Sequence, residues 1–281
     1  AAQQLRAEGC SAEFLPLDVA DRDSVAGLAR MLQERYGGVD ILVNNAGTAF
    51  KARDPTPFRE QAAPTLAVNY FGLVAVCNAL GPLLRSGGSV VNIASGAGHL
   101  RGYSQDLQGQ MANPALTRQG LDRLMQKFVA DVQSGTHRAN GWPGTCYGVS
   151  KAGVVAFTRI LAKELQAQAI LVNCVDPGWC STDMSSHTGP RTAAQGADTA
   201  VYLALLENPG PTGDLWYERE PVPETESGWV DASATASWGT GTPSGAEEGR
   251  RLALSLAAGA ALTAWAGVTL RGGISSTTPD S

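Results

Sequence analysis

Tyr147 and Lys151 stand one helical turn apart in the run Tyr147-Gly148-Val149-Ser150-Lys151. A helix sets residues i and i+4 on one face, so the ammonium is expected beside the phenol. A nearby positive charge favours phenolate and draws a tyrosine pKa down from about 10. A phenol tuned in this way can exchange a proton with a carbonyl or alcohol oxygen near neutral pH. A Tyr and a Lys at this spacing also occur on ordinary helix surfaces, so the pair needs support from the elements that would position it.

Those elements alternate. Residues 12–17 (Ala-Glu-Phe-Leu-Pro-Leu), 41–43, 89–94 and 170–175 have apolar strand centres, and residues 213–217 are expected to form a final strand. Residues 21–36, 62–84, 149–165 and 192–206 carry apolar positions at intervals of three and four, the spacing of a helix. The opening residues are expected to be the end of a helix stopped by Gly9 and, carrying Arg6 and Glu8 with no apolar core, are not expected to be a signal peptide. Strands alternating with helices imply a parallel sheet covered on both faces. Such sheets bind ligands beyond the carboxyl ends of their strands. That rule selects Asp18, Asn44–Gly47, Ser95 and Pro177–Gly178. Singly, each has a bland explanation: a helix cap, a turn, a strand-end cap. Asn69 alone would be a satisfied helix amide and Trp179 alone a core residue. Their common position at successive strand ends favours a site.

Composition narrows the chemistry. The chain of 281 residues has 43% hydrophobic residues and a net charge of -5, which gives no basic excess for nucleic acid or an anionic membrane. Cys10, Cys77, Cys146, Cys174 and Cys180 form no CxxC, as suits a reducing, cytoplasmic compartment. His99, His137 and His187 fit no metal-ligand spacing. Between Ser95 and Tyr147 the chain far exceeds a direct connection of about 2–6 residues. The amphipathic run Leu121, Leu124, Met125, Phe128, Val129 and Val132 within it points to an inserted helical subdomain at about 99–145, beside the site.

With these elements placed, residues 1–217 resemble the short-chain dehydrogenase/reductase family, and within it the carbonyl reductase branch. The resemblance is carried by Leu17-Asp18-Val19, Asn44-Asn45-Ala46-Gly47, Val68-Asn69, Asn92-Ile93-Ala94-Ser95, Tyr147 to Lys151, Asn140-Gly141-Trp142-Pro143, and Pro177-Gly178-Trp179 with Thr182-Asp183-Met184. It implies NADPH as cofactor, ketones, aldehydes and quinones as substrates, and reduction to alcohols. Tyr147 then matches the proton donor, and Lys151 the residue that tunes it and holds the nicotinamide ribose. Ser95 matches the hydroxyl on the substrate oxygen, and Asn69 the anchor of a relay water. Asp18 and Val19 match the adenine contact, Asn45 the ribose neighbour, and Cys180, Ser181 and Thr182 the loop over nicotinamide and phosphates. Phe50, Lys51, Gln61 and Trp179 match the substrate pocket, including a region that accepts glutathione conjugates. The insertion implies a monomer.

The resemblance starts after the family's first two strands and Gly-rich phosphate turn. The fold expected is therefore an α/β Rossmann-like doubly wound parallel sheet lacking its first two strands, N-terminally truncated, over residues 1–218. Without those strands, residues 12–17 have no ladder partner and residues 41–43 form an edge. The chain is expected to be a fragment, unstable or inactive if it stands alone. Residues 219–249 are rich in Pro, Glu, Ser, Thr and Gly and are expected to be a disordered C-terminal tail. The uncharged run 252–270 is long enough to span a membrane, but its Ala, Gly, Ser and Thr content argues against insertion. The alternative to an enzyme is a catalytically inactive product, free or tail-anchored, that keeps part of the fold and acts only by binding.

Overall fold

A computed structural model describes residues 2–51, 53–224 and 228–229, and the backbone of 267–269. Its centre is a sheet of β1 (Val39–Asn44), β2 (Leu84–Ile93), β3 (Leu171–Val175) and β4 (Leu215–Tyr217), all parallel, flanked by β5 (Glu220–Pro221) and β6 (Gly267–Thr269), both antiparallel to their neighbours. The order is β5-β4-β3-β2-β1-β6. Asn44, Asn92 and Cys174 lie in register across β1, β2 and β3, so the three strands end at one level. Alternation sends Ile41, Val43 and Val91 to one face and Leu42, Val90 and Val172 to the other. The first face is covered by α8 (Ala193–Ala204), the second by α2 (Arg22–Tyr36), α4 (Leu73–Leu80) and α7 (Cys146–Leu165).

The helices start where side chains satisfy the free N–H groups of the first turn. Asp21 caps α2, Thr145 caps α7 and Thr192 forms a capping box with Gln195 at the start of α8. Gly37, at φ 68°, ends α2 in the left-handed region that favours glycine. Before α2, α1 (Ala2–Ala7) is followed by Gly9, also at positive φ. The helix expected at 62–84 begins earlier, as α3 (Phe58–Leu66), and passes through a π turn, Ala67–Gly72, before α4. Val19 packs so tightly on this turn that a Cβ on Gly72 would lie 2.8 Å from its Cγ2.

The insertion holds α5 (Gln105–Ala112) and α6 (Arg118–Gln133). Leu121, Leu124, Met125, Phe128 and Val132 of α6 are buried in the core shared with α3 and α7. Trp142 locks the return of the chain: its ring meets Phe128 edge-on and its indole N–H donates to Asp131 Oδ2 at 2.9 Å.

Three expectations are corrected. Residues 12–17 form no strand, because no described strand lies beside them. Glu13 is instead held by Arg35 and the Tyr36 hydroxyl, and Phe14 is 51% exposed. Nor is β1 an edge: Ile41, Leu42 and Val43 pair with Thr269, Val268 and Gly267. The tail's first residues are not free linker. β5 pairs with β4, and Trp229, 1% exposed, donates from its indole to the Gly98 carbonyl. An apolar ring in reach of a core gap overrides polar composition. The rest of the expected tail, including all but 267–269 of the run 252–270, lies outside the described residues.

Candidate active site

The carboxyl ends of β1, β2 and β3 deliver three loops to one place, and α7 delivers a fourth set of groups. Ser95 follows β2 and caps a short 3-10 turn, Gly96–Gly98, by accepting from Ala97 N at 3.2 Å. Its hydroxyl also hydrogen-bonds the Tyr147 phenol. The turn is wedged on α7, since a Cβ on Gly98 would lie 2.8 Å from the Lys151 carbonyl carbon. One helical turn after Tyr147, Lys151 is 3% exposed and donates from Nζ to the Ile93 carbonyl at 2.6 Å. Its Nζ lies 5.6 Å from the Tyr147 ring centroid.

Asn69 occupies the π turn, a form of helix that recurs at functional sites. Its Oδ1 accepts from Thr48 N at 2.7 Å, and its Nδ2 donates to Thr48 O and to Ser150 Oγ. The loop after β1 is thus tied to α7. Gly47 lies over both groups: a Cβ there would be 3.6 Å from Asn69 Oδ1 and 3.7 Å from Lys151 Nζ. Asn69, Ser95, Tyr147 and Lys151 therefore gather at one cleft.

The electrostatics differ from the expectation. Burial pushes the Lys151 ammonium down to about 8, partly countered by the nearby Cys174 and Asp176. The Tyr147 phenol is pushed up, not down. Burial is the largest cause, the Asp176 carboxylate adds to it, and the Ser95 hydrogen bond opposes it. Lys151 has turned to the Ile93 carbonyl, so desolvation decides the phenol's state.

The outer residues divide. Asp18 is exposed and accepts from Ala20 N at 2.9 Å, whereas the Val19 side chain belongs to the core. Asn45 is exposed at the mouth of β1, with Phe50 and Lys51 further along the same loop. Gln61 donates to the Thr56 carbonyl at 2.8 Å. Trp179 is 62% exposed on the loop after β3. In that loop Cys180 donates to the Pro177 carbonyl, Ser181 N to Arg191 O and Thr182 N to Ser185 Oγ. These bonds close the loop on itself.

Two features escaped the sequence reading. A buried chain runs from Asn44 to Asn92 to Thr158, with bonds of 2.8 and 2.9 Å, and fixes the strands beneath the site to α7. Both asparagines sit in motifs, but nothing in their spacing shows that their amides meet. Asp176, directly before the Pro177–Gly178 turn, faces the Ser95 turn. An acid directly before a Pro-Gly turn at a strand end was the available signal.

Comparison with known proteins gives the family. Residues 1–106 match a family model described as short chain dehydrogenase, and residues 115–208 one described as enoyl-(acyl carrier protein) reductase. Carbonyl reductase (NADPH) 1 of Bos taurus is 44% identical over 230 residues, 79% of this chain and 83% of that protein. The chain belongs to the short-chain dehydrogenase/reductase family. Carbonyl reductase (NADPH) 3 of Mus musculus is 47% identical over 212 residues, 73% of this chain and 76% of that protein. Among solved structures, salutaridine reductase from Papaver somniferum superposes with a TM-score of 0.70 at 29% identity, covering 77% of this chain and 86% of that one. The chain is thus an oxidoreductase by family, with an α/β Rossmann-like sheet.

The residues present fit one half of a dinucleotide. Lys151 has three N–H donors and gives one to protein, to Ile93 O. The remaining donors lie under Gly47 and suit ribose hydroxyls. Pyrophosphate needs backbone N–H groups at a helix N-terminus directly after a strand. Among the described residues no strand, Gly-rich turn and helix in sequence supplies that cradle.

Proposed function

We propose that this chain reduces carbonyl compounds to alcohols with NADPH. The observation that carries the reading is the convergence of Ser95, Tyr147, Lys151 and Asn69 at the carboxyl ends of β1 and β2. NADPH, when bound, supplies a hydride to the carbonyl carbon and leaves as NADP+. Ser95 holds the carbonyl oxygen and Tyr147 gives it a proton, so the product is a neutral alcohol and the phenol is left as tyrosinate. Lys151 orients the nicotinamide ribose and steadies that tyrosinate, and a water held through Asn69 returns a proton from solvent. Asn45 contacts the ribose, Asp18 the adenine, and the loop of Cys180, Ser181 and Thr182 covers the nicotinamide.

Ketones, aldehydes and quinones are the substrates of this reading. Phe50 and Trp179 supply apolar walls for them, and Lys51 a cation for an acidic conjugate such as a glutathione adduct. Because α6 covers the outer faces of α3 and α7, a monomer fits this reading. The buried thiols of Cys77, Cys146 and Cys174 fit a reducing compartment such as the cytoplasm.

A second reading is a chain that binds without catalysis, since the described residues include no pyrophosphate cradle. Tryptophan fluorescence of the purified chain separates the two. Saturable quenching by NADPH, reversed by excess NADP+, is the result expected for the reductase. Fluorescence indifferent to NADPH leaves the binding-only reading.

A further inference from the structure

The turn that presents Ser95 is a single unit. Ser95 Oγ accepts from Ala97 N, Gly98 N donates to the Ser95 carbonyl at 2.9 Å, and His99 N donates to the Gly96 carbonyl at 3.3 Å. The turn rests on α7: a Cβ on Gly148 would lie 3.0 Å from the Ala97 carbonyl oxygen, and one on Gly98 3.0 Å from Ala152 N. A second hold comes from far along the chain. Trp229, 1% exposed, donates its indole N–H to the Gly98 carbonyl at 3.2 Å. The indole is itself held. Arg159 of α7 lies over its ring at 5.0 Å, and the same guanidinium pairs with Glu224 at 2.8 Å. Trp229 N donates to the Glu224 carbonyl at 3.1 Å, and Val222 N to the Leu215 carbonyl of β4 at 2.7 Å. Gly228, at φ 74°, brings the backbone beside Leu100 and Arg101.

We propose that Trp229 is a positioning residue for Ser95: residues 222–224 and 228–229 belong to a strap that ties the Ser95 turn to α7 and fixes the hydroxyl where a carbonyl oxygen is to be held. The inference rests on the reading of Ser95 as the group that holds the substrate oxygen. Gly96, Ala97 and Gly98 carry no side chain long enough to anchor the turn, and glycine backbone moves freely unless something grips it. The grip must therefore fall on backbone groups, and the Gly98 carbonyl is the one the strap takes. An indole has a single N–H donor, and Trp229 gives it to this carbonyl. A displacement of about 1 Å near reacting groups costs about 100-fold in rate, so a tie three residues from Ser95 bears on catalysis. Trp229 is buried and acts through the turn.

Trp229→Phe keeps an aromatic ring in the core and removes the donor. Hydrogen exchange of the full chain, followed by NMR, reads the turn directly. The Gly98 and His99 amides, which close the turn, are expected to exchange about 10-fold faster, with β1 and β2 at parent rates. Carbonyl kcat/KM is expected to fall about 10-fold at unchanged NADPH affinity. In a Ser95→Ala background the same substitution should cost less than about twofold, because nothing is left to position. Trp229→Gly gives a second variant. Added indole should restore both exchange and rate, whereas benzofuran, which fills the same space without a donor, should not. A merely space-filling role predicts rescue by either compound, faster exchange throughout the chain, or equal losses with and without the Ser95 hydroxyl. Any of these, or Gly98 and His99 amides that keep parent rates in Trp229→Phe, overturns the proposal. A parent chain that reduces no carbonyl would refute the reductase reading and leave the exchange rates to decide the strap, so the two ideas fail separately.

Discussion

Tyr147→Phe is expected to cut kcat for carbonyl reduction by about 100- to 10,000-fold, the span of a lost general acid, with NADPH affinity nearly unchanged. Phenylalanine fills the same volume and removes one hydroxyl. The helix cap at Thr145 and the Gly98 wedge do not involve that hydroxyl, so the scaffold stays in place. What disappears is the hydroxyl beside Ser95 that can give a proton to a substrate oxygen held there. The measurement is loss of NADPH absorbance with an aldehyde or quinone. A rate close to that of the parent chain would move the acid to another residue.

The second large effect is a gain in stability. Lys151→Met is expected to stabilise the fold at pH 7 by about 2–3 kcal/mol, because a buried ammonium is replaced by an apolar chain of similar length. Burial pushes the folded lysine down to about 8, against an ordinary value of 10.5. Between these values the unfolded chain binds the extra proton. The slope of stability with pH follows the protons bound by the unfolded chain minus those bound by the folded one. Lysine's contribution is therefore most unfavourable below about 8 and is relieved as pH rises to 10.5. The advantage of the methionine variant should shrink across that window. Urea unfolding midpoints of both chains at pH 7 and pH 10 check this. The thiol of Cys77, pushed up to about 12 by burial, biases both chains alike and cancels in the difference. A constant gap, or a variant less stable than its parent at pH 7, would show that the ammonium is better solvated than its burial implies. Keeping a destabilising charge at a cleft is the usual sign of a functional demand.

Much of this fold was legible because its signals are local. The apolar centres of β1, β2 and β3 and the three- and four-residue periods of α2, α6 and α7 each report burial on one element. The strand-end rule then needed no coordinates to place Ser95 beside Pro177–Gly178. What stayed hidden depends on partners distant in sequence. Residues 12–17 have strand composition but no ladder to join among the described residues, and composition does not carry partner availability. Trp229 sits in a polar stretch, yet the gap it fills lies beside Gly98. The π turn at Asn69 follows from how the helix passes Val19 and Thr48, which no period shows. The phenol's shift was misjudged for the same reason. Spacing placed Lys151 near Tyr147, but the Ile93 carbonyl that captures the ammonium comes from another element.

The most direct test of the central claim follows the hydrogen itself. The purified full chain is given an aromatic aldehyde and NADPH carrying deuterium at the transferable C4 position, and the alcohol is examined by mass spectrometry and NMR. Transfer at the Ser95–Tyr147–Lys151 cleft predicts one deuterium on the carbinol carbon and none on oxygen after exchange into water. Saturating NADPH that gives no alcohol, or an alcohol without deuterium at that carbon, would contradict it.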